Sequence, residues 1–66
     1  MEKFKKGTRV LIRNRERGTN ELGVVESFQT RRSQVFYNVQ LERGSLLTDI
    51  TTNPDISTWF YIQKSI

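Results

Sequence analysis

Along residues 35–41 apolar and wettable side chains change places at almost every step. Val35, Tyr37, Val39 and Leu41 alternate with Phe36, Asn38 and Gln40. A period of two puts the first set on one face of a β-strand and the second on the other, so the pattern predicts a strand running to Glu42. Upstream, Val24, Val25 and Phe28 alternate less cleanly. That predicts a second strand over residues 22–29 with a bulge near Gly23, where a chain can bend sharply. The polar stretch between them, residues 30–34, becomes the tip of a hairpin that carries Arg31 and Arg32. A lone hairpin is marginal in water, so other strands must cover its apolar face.

The remaining segments supply them. Residues 8–13 alternate as a first strand, Val10 and Ile12 against Arg9, Leu11 and Arg13, with Leu11 suggesting an edge or cover on both sides. Residues 14–21 contain no apolar side chain and include Gly18, which predicts an exposed loop. Glu42-Arg43-Gly44-Ser45 reads as a tight turn, followed by a fourth strand over residues 46–51. Strict alternation there places Leu46, Thr48 and Ile50 on one face and Leu47, Asp49 and Thr51 on the other. Pro54 lacks an amide hydrogen, so residues 52–57 are expected to form a turn or a short 3₁₀ segment. Residues 58–63, rich in aromatic and β-branched side chains, form the last strand. Phe28, Tyr37 and one of Trp59 and Phe60 are expected in the core, with Phe36 and the other member of that pair outside. No helical period appears. Five short strands predict an all-β fold, a small antiparallel barrel in one domain over residues 1–66, with residues 1–6 a basic arm; closure removes exposed edges.

Composition narrows the chemistry. The 66 residues contain neither cysteine nor histidine, which removes disulfides and the usual zinc ligands. No metal and no cofactor is expected. Neither a signal peptide nor a membrane-spanning run is recognisable, and the expected location is the cytoplasm. Net charge is +4, and its distribution is uneven. Residues 1–17 hold seven basic and two acidic side chains, whereas residues 18–66 hold four basic and five acidic ones. Such asymmetry suits a polyanionic partner, although a solvated edge gives the same count.

A set of positions spread along the chain carries a resemblance. Gly7, Val10 and Ile12 open it, Gly23-Val24-Val25 and then Tyr37, Val39 and Leu41 follow, and a turn at Gly44 and a proline turn at Pro54 precede the closing strand. This order resembles the small barrel shared by Src-homology-3, Tudor, chromo-like and KOW domains, over residues 7–62. The resemblance implies a five-stranded Src-homology-3-like barrel and no particular ligand. Residues 14–21 lack the acidic and aromatic residues with which Src-homology-3 domains grip proline-rich peptides. No Tudor-type cage of several aromatics is evident. Plasmid-borne dihydrofolate reductases use a similar barrel, but their Val-Gln-Ile-Tyr pore segment falls where this chain reads Leu47-Thr48-Asp49-Ile50.

Nor do the residues themselves suggest catalysis. Glu16, Glu21, Glu26, Glu42, Asp49 and Asp55 are scattered, and no histidine base, nucleophile motif or phosphate-cradling glycine loop is present. The expectation is a non-enzymatic protein. The arginines are more informative, because a planar guanidinium grips phosphate through paired hydrogen bonds and keeps its charge. Arg13, Arg15 and Arg17 border the first loop and Arg31 and Arg32 the hairpin tip; if these converge, with Lys3, Lys5 and Lys6 as a flexible arm, they form a nucleic-acid-binding surface for DNA or RNA with weak sequence selectivity. Phe36 and Trp59 are candidates for stacking on a base or touching a partner. The rival expectation is a protein-interaction module, pairing with an acidic protein or a second copy of itself through Leu11, Phe36, Leu47 and the outward member of Trp59 and Phe60. An enzyme completed by oligomerisation is a distant third.

Overall fold

The computed structural model describes residues 4–55 and 59–66. Lys3, and Thr58 at the start of the expected last strand, lie outside the described residues. Five strands form: β1 (Arg9–Asn14), β2 (Thr19–Arg31), β3 (Gln34–Leu41), β4 (Leu46–Ile50) and β5 (Phe60–Ser65). They make one sheet in the order β4-β3-β2-β1-β5, and every pairing is antiparallel. The expected closed barrel is not closed by a hydrogen-bonded ladder: β4 and β5 remain the two edges. Thr51, the residue after β4, accepts the amide of Ile62 in β5 at 2.9 Å.

One face of the sheet holds the core. Val10 and Ile12 of β1, Val25 of β2, Val35, Tyr37, Val39 and Leu41 of β3, Ile50 and Ile62 are buried together. The alternation read along β3 is therefore realised, with its odd-numbered residues buried from Val35 to Leu41. Tyr37 also gathers the amino-terminal segment. Phe4 packs on its ring at a centroid distance of 5.4 Å and donates its amide to the Tyr37 hydroxyl at 3.1 Å. The Gly7 amide donates to the Val25 carbonyl, and the Val25 amide to that of Thr8. Residues 4–6 are thus not a free arm, because Phe4 offers the large apolar side chain that the open end of so small a core needs. Tyr37→Phe keeps the ring and removes the acceptor. It is expected to lower stability by about 0.5–1.5 kcal/mol and to speed amide exchange at Phe4, as denaturant melts and hydrogen exchange would show.

Several expectations need correction, each for a backbone reason. Residues 14–21 are not a long loop: Asn14 pairs with Thr19, Arg13 with Asn20 and Ile12 with Glu21, leaving a turn of residues 15–18. A ladder of main-chain bonds does not require apolar side chains, so β2 extends beyond its apolar stretch at both ends. Asn14, itself buried, organises that turn by accepting the Arg17 amide at 3.2 Å and donating to Glu21 Oε2 at 3.3 Å. The bulge expected at Gly23 lies at Glu26, since Val25 faces Val39 and Ser27 faces Asn38. In β4, Leu47 faces Val39 while Ile50 faces Tyr37, so one extra residue sits between them, and Asp49 takes a positive φ of 54°. That irregularity turns both Leu47 and Ile50 toward the core and leaves Leu46 exposed. Leu47 is consequently no surface contact. Phe28 is 42% exposed rather than a core residue, lying against Tyr37 at the rim. Phe60 packs against the core and Trp59 is the outward member of the pair. Pro54 and Asp55 form a turn, while residues 56 and 57 of the expected turn or 3₁₀ segment lie outside the described residues.

Candidate nucleic-acid interface

The β2–β3 hairpin places the candidate side chains. Its turn is two residues long, Arg32 and Ser33, because Arg31 pairs directly with Gln34. Both turn residues have positive φ, 50° and 66°, as in the hairpin turn whose twist matches that of the flanking strands. Asn-Gly is the usual sequence for such a turn, so Arg-Ser holds the left-handed region at a cost of about 1–2 kcal/mol per residue. Ser33→Gly relieves half of that strain, partly offset by the greater freedom of an unfolded glycine. It is expected to raise stability by up to about 1 kcal/mol in denaturant melts while leaving ligand binding unchanged.

After the bulge at Glu26, the register puts Ser27 beside Asn38, Gln29 beside Phe36 and Arg31 beside Gln34 on the outer face of the hairpin. Arg31 and Phe36 are diagonal neighbours, and the guanidinium carbon lies 4.3 Å from the centroid of the ring. That distance is within cation–π range. The other side of Arg31 is held by Asp49, with Nη2 at 2.9 Å from Oδ1. Asp49 in turn donates its amide to Asn38 Oδ1 at 3.2 Å, and Asn38 Nδ2 donates to Ser27 Oγ at 2.8 Å. A chain of hydrogen bonds along the outer face thereby holds the guanidinium over the ring. Arg31, Arg32, Gln34 and Phe36 line one open concavity of about 500 Å³. Arg32 is exposed at the turn and makes no ion pair among the described residues.

This concavity unites Arg31, Arg32 and Phe36 from the residues that the sequence nominated. The others lie elsewhere. The turn carrying Arg15 and Arg17 closes the opposite end of β2 from Arg32, with Arg13 at the adjoining end of β1. Arg15 is tied to the β4–β5 connection, its Nη1 donating to the Pro54 carbonyl at 2.6 Å and its amide to the Trp59 carbonyl at 2.7 Å. Arg13 donates to Asn20 Oδ1 at 3.3 Å. Lys5 and Lys6 are exposed on the turn before β1. The five arginines therefore make two groups rather than one. Gln34 and Asp49 were not anticipated: the first looked like a generic tip residue, and the second reaches Arg31 only because of the irregularity in β4. A two-residue turn at Arg32-Ser33 would have revealed the Arg31–Phe36 diagonal, but without asparagine or glycine the sequence hides it.

No protein-family model, curated protein sequence or solved structure matches this chain.

Proposed function

We propose that the protein is a non-enzymatic nucleic-acid-binding module that takes its ligand at the tip of the β2–β3 hairpin, with weak sequence selectivity. The fold is read as a partly open barrel of the Src-homology-3-like type, a reading supported by the strand order and by the Thr51–Ile62 bond between the two edge regions. The observation that carries the function is the shared concavity of Arg31, Arg32, Gln34 and Phe36. It offers two guanidiniums for phosphate oxygens, a planar stack for a base and an amide for a base edge. The Arg31–Phe36 stack is already assembled, so little side-chain order remains to be imposed on binding. Asp49 is the group a phosphate must displace from Arg31, and their exposed ion pair contributes no more than about 1 kcal/mol. Nothing on the hairpin resembles a base-reading helix, hence the weak selectivity. The other cations nominated from the sequence, Lys3, Lys5, Lys6, Arg13, Arg15 and Arg17, add to the attraction of a polyanion at a distance.

Amide chemical-shift mapping with a short oligonucleotide tests this reading. Shifts confined mainly to residues 29–36, with Asp49, are the expected result; shifts concentrated at residues 13–17, or none, would contradict it. A protein partner is the second reading, favoured by Trp59 and Leu46, each 54% exposed. A dimer in light scattering, dispersed by Trp59→Ala, would support that alternative.

A further inference from the structure

The outer face of the sheet continues beyond the hairpin, and it carries a second set of cations. On β1, Val10 and Ile12 point into the core, so Arg9, Leu11 and Arg13 occupy the opposite face. The register sets Lys64 beside Leu11 and Tyr61 beside Arg13, so β5 contributes to that same face. None of these five positions is acidic; among the described residues the carboxylate paired with them is Glu42, at 3.3 Å from Arg9. Arg9 and Arg13 are separated by roughly 13 Å along β1, and Lys64 lies on the next strand, about 5 Å to the side. The face is continuous with the hairpin. From Phe36 it passes down β3 to Gln40, and the register then leads from Gln40 through Val24 to Arg9. That path is roughly 23 Å long, with its two ends roughly 16 Å apart in a straight line across the sheet.

We propose that this outer face of β1 and β5 is a second contact for the ligand of the hairpin tip, carrying the backbone of a single-stranded nucleic acid on Arg9, Arg13 and Lys64 and offering Tyr61 to a base. The inference rests on the nucleic-acid reading of the tip and extends it to the class of strand. Two aromatic side chains on one sheet face, Phe36 and Tyr61, suit bases that are not already paired. Phosphates meet Arg9 in place of Glu42, which is drawn off an exposed pair. The ligand is single-stranded DNA or RNA, since backbone phosphate and a stacking base are common to both.

Fluorescence anisotropy with labelled oligo-dT and oligo-U, about 4 and about 12 nucleotides long, tests this, alongside a duplex of the longer length. The shorter probes occupy the tip alone. The longer ones are expected to bind wild-type protein at least about tenfold more tightly, and more tightly than the duplex, with a salt slope steeper by about 2 for three further phosphates. Arg9→Gln/Lys64→Gln should remove most of that advantage while changing the affinity of the shorter probes far less; Lys64→Glu, at an exposed position, serves if the double variant does not fold. The comparison of oligo-dT with oligo-U identifies the natural sugar. Unchanged binding of the longer probe to a folded variant, an equal loss on both lengths, or preference for the duplex would overturn the second contact and leave the tip standing. Failure of wild-type protein to bind any probe would overturn both.

Discussion

Gly23→Val is expected to leave the chain largely unfolded at room temperature, and Gly23→Ala to lower its stability by about 1–3 kcal/mol. Gly23 lies in the middle of the sheet, paired with Val10 on one side and Leu41 on the other. A Cβ built there would meet Val39 Cγ1 at 2.6 Å, the Gln40 carbonyl oxygen at 3.0 Å and Leu41 Cδ2 at 3.3 Å. Val39 is fully buried and the Gln40 oxygen belongs to the backbone, so neither can withdraw without disturbing β3. Alanine forces a shift of a few tenths of an ångström or more; valine adds two methyl groups where no space exists. A domain of this length has a total stability of only about 3–10 kcal/mol, so the second change can consume it. Circular dichroism during a urea titration reads both. Gly23→Ala melting like the wild type would show that β2 and β3 do not approach as closely as described.

The larger functional effect is expected from Arg31→Ala/Arg32→Ala. Hydrogen bonds to charged groups are worth about 1.5–3 kcal/mol each, but Arg31 must first leave Asp49 and both arginines are exposed. The pair together is therefore expected to contribute about 2 kcal/mol, a loss of roughly 30-fold in affinity for a short single strand. The fold should survive, because neither side chain enters the core. Arg15→Ala/Arg17→Ala, at the opposite end of β2, should cost severalfold less on the same probe. Anisotropy titrations of the two double variants make the comparison; equal losses would mean that bulk charge, rather than the hairpin concavity, governs binding.

The two predictions rest on features of unequal legibility. The burial of β3 was readable in the sequence because its alternation is strict from Val35 to Leu41, and a sheet covered on one face must obey it. The number of strands followed from turn residues such as Gly44 and Pro54. Polar stretches were not readable in the same way. Thr19, Asn20 and Glu21 pair with β1 through the main chain alone, and hydrophobic pattern is silent about such residues. Alternation also misplaced Leu47, since one extra residue in β4 shifts every later side chain to the other face. Arg31, Arg32 and Phe36 could be nominated from residue type. Their meeting with Gln34 and Asp49 depends on the turn of Arg32 and Ser33 and on the positive φ of Asp49, neither of which has the glycine or asparagine that normally announces it. The expected convergence of all the arginines fails for a related reason. Once residues 14–21 pair as a hairpin, their arginines are carried to the far end of β2.

The most direct test of nucleic-acid binding at the hairpin tip is the salt dependence of wild-type affinity for a single strand of about four nucleotides. Two phosphates neutralised by Arg31 and Arg32 predict a slope of log K against log salt of about −1.4, with measurable binding at low ionic strength. No binding at low salt, or an affinity indifferent to salt, would contradict the account.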